Sequence, residues 1–325
     1  MLDKAMITTP LVDVFMPTYN HGTYVTQAIE SVLAQKTDFA YRLNIADDCS
    51  TDGAQLLIKQ YAEQNPDRIR AIVSPQHLGV LHKDRVSTKV LQSCTGKYVA
   101  ILEGDDYWTD PHKLQKQVDF LESHPDFAIC FHDVKTVNET GAEQPHSVLP
   151  PQPKQVWTIE DLLAGNFIPT CSVMFRHGLI KEFPDWYTNL RIGDWVLHVM
   201  NAQHGKIGYL KDVMAVYRIH EGSLWSSDDR LNQITETIEM LDQVDAYLGF
   251  KYRRRIKESK GRRFLESAEI YYERGRLSEA RVAVKQSLRC LGFRNWGAVN
   301  LWFRLQAPNL YASLLTLRNA VRPVK

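Results

Sequence analysis

Apolar residues recur along the first hundred positions in short runs and helical stripes that alternate strictly. The run 11-LVDVFMP-17 predicts a buried strand stopped by a proline. Between Thr23 and Ala34, residues Val25, Ala28, Ile29, Val32 and Leu33 share one helical face. A second strand follows at 41-YRLNIAD-47, then a helix over 54–64 with Leu56, Leu57 and Tyr61 directed inward. Residues 69–74 predict a third strand, 84–93 a helix ended by 94-CTG-96, and 97–104 a fourth strand. Beyond it the pattern gives a helix over 113–127, a strand over 128–137, a Pro- and Gln-rich loop from Pro145 to Pro153, and a strand over 171–176. A helix over 191–205 carries Asp194 in its first turn, and 207–220 reads as a strand containing a turn. From Leu231 onward the pattern is helical, with breaks expected at Gly261, Gly275 and Gly292. Such alternation predicts an α/β fold with a mainly parallel sheet and right-handed crossovers, followed by an α-helical region.

Polar clusters fall where this scheme ends its strands: Thr18-Tyr19-Asn20, Asp47-Asp48, and Glu103, Asp105 and Asp106. Ligands of open α/β sheets bind beyond the carboxyl ends of the strands, so the three clusters are expected to converge on one cleft. The third cluster sets three carboxylates within four residues directly after a buried strand. Like charges so close resist ionisation unless a cation or several donors sit among them. Two readings follow, a solvated acidic turn and a divalent-metal site.

Charge is divided unevenly along the chain. Of 39 Lys+Arg and 38 Asp+Glu, residues 251–325 hold 18 and 5, leaving 21 and 33 in residues 1–250. Two units facing different partners would produce this split, as would a basic tail docked on the chain's own acidic part. Five dispersed cysteines without paired spacing argue against a disulfide framework or a zinc cluster and for a reducing, cytoplasmic setting. No apolar run has the length of a membrane span, and the amino terminus shows no uninterrupted apolar signal core.

The quoted motifs together resemble family 2 glycosyltransferases of the GT-A fold. The resemblance rests on 15-FMPTYN-20, 46-ADDCSTDG-53, 96-GKYVAILEGDDYWTDPHKL-114, 191-RIGDW-195 and 217-YRIHEGS-223, in that order, over roughly residues 11–225. It implies a catalytic domain at 1–225 and a basic α-helical domain at 226–325. It also implies an inverting transfer of sugar from a nucleotide-diphosphate sugar, UDP-sugar favoured, to a hydroxyl of a glycan or lipid-linked glycan. Pro17, Thr18 and Tyr19 would frame base and ribose, with Asp47 and Asp48 reading them by hydrogen bonds. Glu103 and Asp105 would meet the donor, and Glu103 departs from the Asp usual in the family. Asp105, Asp106 and His220 would hold Mn²⁺ or Mg²⁺, a Lewis acid for the leaving diphosphate. Asp194 would be the general base.

Plainer roles stand beside these. Tyr19 suits a core aromatic, Asp194 a helix N-terminal acid favoured by the dipole, His220 a satisfied surface residue and Asp52 a helix cap. Trp108 and Trp195 suit either sugar stacking or core packing. The family's Arg-Asn pair is replaced by Ser87-Thr88, leaving His82, Lys83, Arg85 and Lys89 as basic candidates for a phosphate. A sugar nucleotidyltransferase would want a Gly-rich, Arg-containing phosphate loop where this chain has PTYNHGTY. A non-catalytic scaffold acting through its tail is the third alternative.

In the tail, 263–292 resembles one tetratricopeptide-like hairpin, with Ala268, Tyr271, Tyr272, Ala280, Ala283 and Leu288 inward. Residues 293–325 mix Trp296, Trp302, Phe303 and Tyr311 with arginines and contain no acid. That composition predicts peripheral contact with an anionic inner-membrane face or with a second copy of the chain. No nucleic-acid-binding motif accompanies the charge, so nucleic acid is not an expected partner.

Overall fold

The computed structural model describes residues 9–82, 84–145, 149–150, 152–222 and 228–307. Two compact units are present: the described residues up to Leu162 with those from Asn166 to 222, and Leu163–Gly165 with those from Asp228 onward.

The first unit begins with β1 (Val12–Thr18), α1 (Val25–Leu33), β2 (Tyr41–Asp47), α2 (Ala54–Gln64), β3 (Ile69–Val73), α3 (Val86–Gln92) and β4 (Tyr98–Ile101). These four strands pair in parallel in the order β3-β2-β1-β4. Val12, Val14 and Met16 of β1 and Val99 and Ala100 of β4 are buried, as expected of strands covered on both faces. Asp13 interrupts the apolar run of β1, yet it too is buried and fully bonded. Its carboxylate accepts from Asn44 Nδ2 at 2.8 Å and from the Thr95 and Gly96 amides at 2.6 and 2.7 Å, which pins β1 to β2 and to the turn before β4.

The chain continues through β5 (Tyr107–Trp108), α4 (Lys113–Ser123), β6 (Phe127–Asn138), β7 (Val156–Trp157), α5 (Ile159–Ala164), β8 (Met174–Arg176), α6 (Gly193–Ala202) and β9 (Lys206–Ile219). The full path is β3-β2-β1-β4-β8-β6-β9-β5, with β7 also on β9. The sheet is mainly parallel, as expected, since β6 also pairs in parallel with β9 along its length; only the short strands depart, β8 running antiparallel to both β4 and β6, and β5 and β7 antiparallel to β9. Periodicity reports which residues are buried and is silent on strand direction. The turn expected within 207–220 is a bulge in one continuous strand, the pairing stepping from Leu210↔His132 to Val213↔Asp133. Leu56 is a correction. It is 63% exposed, because the inward row of α2 runs through Ala54 and Ile58, with Leu57 and Tyr61 beside it.

Lys113 opens α4 at 0% exposure. Its Nζ donates to Gln117 Oε1 at 2.6 Å and lies 4.0 Å from the Trp108 ring centroid. Burial pushes the ammonium down to about 7. Below that pH the folded and unfolded chains both hold the proton, and the fold bears the whole cost of burying a charge. Between about 7 and the ordinary lysine value the unfolded chain holds a proton that the fold lacks, so stability rises with pH. Lys113→Met is therefore expected to stabilise the fold by about 1–4 kcal/mol at pH 6.5, the gain shrinking towards pH 10. Denaturant melts of both proteins at pH 6.5, 8 and 9.5 check this; a pH-independent difference contradicts it.

The second unit holds α7 (Arg230–Tyr247), α8 (Arg253–Glu273), α9 (Leu277–Leu291) and α10 (Trp296–Gln306). Ala268, Ala280, Ala283, Val284, Leu301 and Leu305 form its core, with Tyr271 and Tyr272 against it. Gly275, at φ 71°, turns the chain between α8 and α9. Gly261 is not the expected break: α8 runs through it. A Cβ there would lie 2.5 Å from Leu291 Cγ, so the glycine lets α9 approach closely. The interruption falls instead at 248–252, where Gly249 and Phe250 have φ of 57° and 61°. Among the described residues no helix is long and apolar enough to cross a membrane.

Candidate active site

Three loops meet beyond β1, β2 and β4. The Asp48 amide donates to Thr18 O at 3.1 Å and the Gly104 amide to Pro17 O at 3.1 Å, so the end of β1 lies between its two neighbours. Asn20, at φ 54°, turns the first loop and accepts the Thr51 amide at 2.8 Å. Asp52 accepts Ala54 N at 3.1 Å, near the helix-capping role expected of it, and Gly22 N at 2.6 Å, which stitches the first loop to the second. Tyr19 is 39% exposed and stacks on His77 at 4.1 Å, which rules out the core role. Asp47 and Asp48 are turned onto their own surroundings. Buried Asp47 accepts the Ser50 amide at 3.0 Å and the Ser50 hydroxyl, and burial pushes its carboxyl up. Asp48 accepts the Leu78 and Gly79 amides at 3.1 and 2.8 Å and pairs with His77 Nδ1 at 2.9 Å.

The acidic loop is held from the far side of the sheet. Because β5 pairs with β9, the 217–220 segment runs beside residues 105–108. Arg218 donates its amide to Asp106 Oδ1 at 2.8 Å and its guanidinium to Asp105 O at 2.5 Å and to Gln27 Oε1. Its guanidinium also covers the rings of Tyr24 and Tyr107 at 4.8 and 4.7 Å. His220 Nε2 lies 3.0 Å from Asp105 Oδ2, and His21 Nε2 lies 3.7 Å from the same oxygen. The donor atoms of His21, Asp105 and His220 all lie within 4.8 Å of one another. Asp106 stands apart from this trio, its Oδ2 buried without a hydrogen-bond partner.

Burial, then the charges of Asp105, Asp106 and Asp194, push the Glu103 carboxyl well above the usual range; the Thr170 hydroxyl works the other way. Burial and the Asp105 charge do the same to Asp106. Burial also acts on Asp105, but the His220 hydrogen bond and the His21 and His220 charges outweigh it and hold that carboxyl low. Burial lowers His21, which leaves its imidazole neutral near pH 7. Gly104 is the residue this packing requires, since a Cβ would lie 2.6 Å from Thr18 Oγ1 and 2.9 Å from His21 Nδ1.

Asp194 occupies the first turn of α6. Its Oδ2 accepts from Asn166 Nδ2 and Thr170 Oγ1, both at 3.3 Å. One turn later His198 is buried, and burial lowers it to about 4 although the Asp194 charge opposes this. Trp108 and Trp195 are core residues: both are buried and donate Nε1–H to the carbonyls of Cys171 and Leu162 at 2.9 and 3.0 Å. Of the basic candidates before Gly96, Lys83 lies outside the described residues and Lys89 is exposed, 3.6 Å from Asp84. Buried Arg85 donates to Thr88 Oγ1 and Val80 O, both at 2.7 Å, and lies over the Tyr187 ring. His21, Arg218, Asn166 and Thr170 were not singled out by sequence reasoning. The signal for His21 was its place directly after Asn20 at the end of the first strand.

The residues fit the divalent cation that the resemblance implies. Crowded acids lift one another's carboxyls, and Thr18 Oγ1, His21 Nδ1 and Asp106 Oδ2 are buried without hydrogen-bond partners around them. A cation is the group that relieves such repulsion.

The family model for glycosyl transferase family 2 matches residues 13–183. The chain belongs to this family. It is 40% identical over 210 residues to the Mycobacterium tuberculosis protein Rv1520, which covers 64% of this chain and 59% of that one. The chain thus spans about 59% of the length of the curated relatives it matches first. Among solved structures it resembles S. aureus TarS (residues 1–349) in complex with UDP-GlcNAc, with a TM-score of 0.64 at 18% identity over 95% of this chain and 92% of that one. It also resembles the Pyrobaculum calidifontis mannosyltransferase PcManGT in complex with GDP-Man and Mn²⁺, with a TM-score of 0.52 at 15% identity over 95% and 84%. The expected GT-A fold with a helical carboxyl-terminal region is the fold present.

Proposed function

We propose that this chain is a metal-dependent, inverting glycosyltransferase that moves a sugar from a nucleotide-diphosphate sugar, a UDP-sugar in the first instance, to a glycan hydroxyl. The observation that supports this most is that Asp194 lies close enough to the acidic loop for its charge, with those of Asp105 and Asp106, to raise the buried Glu103 carboxyl. Asp105 and His220, with Asp106 beside them, are the residues for Mn²⁺ or Mg²⁺, which supplies charge neutralisation for the departing diphosphate. Asp194 takes the proton of the acceptor hydroxyl as its oxygen attacks the anomeric carbon, and the sugar–phosphate bond breaks on the opposite face. Thr170 and Asn166 orient that carboxylate. Pro17, Thr18 and the exposed Tyr19 face receive base and ribose. Asp47 and Asp48 shape that pocket by holding its loops. The preference for uridine leans on the TarS complex with UDP-GlcNAc.

The catalytic part is residues 1–225 and the basic helical part 226–325. Phe293 and Trp296 are 76% and 81% exposed beside Arg294, which suits an anionic inner-membrane face carrying a lipid-linked acceptor. Contact with a second copy is the other use of that surface, and vesicle co-sedimentation against sizing in solution separates the two. Residues 308–325 of the basic tail lie outside the described residues.

The reaction is tested by nucleoside-diphosphate release from UDP-, GDP- and dTDP-sugars with Mn²⁺ or EDTA, paired with UDP calorimetry. Release from one donor that EDTA abolishes is expected. Pyrophosphate as the product would mean a nucleotidyltransferase, nucleotide binding without turnover a scaffold, and silence in both assays from folded protein overturns the reading.

A further inference from the structure

We propose that His21 is a third protein ligand of the same cation, so that two imidazoles and one carboxylate select a first-row transition ion such as Mn²⁺ over Mg²⁺. The inference rests on the reading of Asp105 and His220 as the cation site and adds to it a ligand and a metal class.

The backbone of His21 is fixed before its side chain is considered. Its carbonyl accepts the Tyr24 and Val25 amides at 2.9 and 2.8 Å, at the start of α1, and the preceding Asn20 holds the turn. The side chain is 16% exposed and points to the oxygen that His220 also reaches, with the two rings edge-to-face at 6.1 Å between centroids. At 3.7 Å from Asp105 Oδ2, His21 Nε2 is too far for a hydrogen bond, and Nδ1 is buried without a partner against Gly104. A buried ring nitrogen without a partner is costly, and the ring is held in place by nothing it bonds to among the described residues. A cation bound between Nε2 and the Asp105 oxygen uses its lone pair. Donor atoms around an ion with bonds of about 2.1 Å lie roughly 3.0–3.5 Å apart; the two imidazole nitrogens stand 3.0 and 3.7 Å from Asp105 Oδ2, and all three atoms lie within 4.8 Å of one another, so a small inward turn of His21 closes the set.

Ligand chemistry then sets the metal class. Mg²⁺ is held through carboxylates, water and phosphate oxygen and gains little from imidazole, whereas nitrogen ligands favour transition ions. Three protein ligands also hold an ion without a nucleotide, which a pair completed by the donor's diphosphate does not require.

The test is pulsed EPR on the full chain with Mn²⁺ alone, counting imidazole nitrogens on the ion, beside Mn²⁺ and Mg²⁺ affinities of the parent protein, His21→Gln and Asp105→Asn. The expected result is two imidazoles in the parent and one in His21→Gln. The variant should lose at least about tenfold in Mn²⁺ affinity, the loss that even outer ligand partners cause, with Mg²⁺ affinity little changed. One imidazole in the parent, no Mn²⁺ bound at millimolar concentration, or unchanged Mn²⁺ affinity in His21→Gln overturns the proposal. If Asp105→Asn abolishes binding while His21→Gln leaves the Mn²⁺ affinity unchanged, only the third ligand falls. Unchanged affinity in Asp105→Asn overturns the cation site itself.

Discussion

Asp105→Asn is expected to lower nucleoside-diphosphate release by about 10³-fold or more. The size follows from the several kcal/mol that a Lewis acid supplies at a developing charge, each 1.36 kcal/mol being tenfold in rate. Asparagine keeps the volume and one acceptor oxygen, so the Arg218 contact to the Asp105 carbonyl persists. What disappears is the charge between His21 and His220. A thermal readout separates this from a general loss of stability. Mn²⁺ is expected to raise the melting temperature of the parent protein by mass action, and in Asp105→Asn that rise should vanish while the metal-free melt remains cooperative. A variant that keeps both metal-dependent stabilisation and release would remove Asp105 from the reaction.

Much of this site was legible because its loops follow strand ends, and strand ends are local in sequence. The run Val99–Leu102 announces a buried strand, and Glu103, Asp105 and Asp106 must then fall at its tip. The helix carrying Asp194 was legible for the same reason. What escaped depends on partners far away along the chain. Arg218 meets Asp106 across 112 positions, and neither residue carries a local sign of the other. Asp47 and Asp48 look like free acids in the sequence, yet amides of the adjoining loops have already engaged them. Gly261 reads as a helix breaker until Leu291 is packed against it. The direction of β8 is fixed by its neighbours β4 and β6, which its own apolar residues do not encode.

Asp194→Asn separates the two readings of an acid at a helix start. If Asp194 serves only the dipole of α6, its neutralisation costs roughly 0.3–1 kcal/mol of stability and leaves turnover alone. If it is the base, turnover falls by about 10²–10⁴-fold. The substitution suits the purpose because the side-chain oxygen of asparagine still accepts from Asn166 and Thr170, preserving the local arrangement while removing basicity. Donor affinity and Mn²⁺ affinity should stay near those of the parent, since Asp194 lies outside the His21, Asp105 and His220 trio. The expected signature is therefore a fall in kcat with little change in the donor KM, the mark of an interaction made in the transition state alone. A variant that melts about 1 kcal/mol lower but turns over normally would return Asp194 to the helix and leave the proton of the acceptor without an assigned destination.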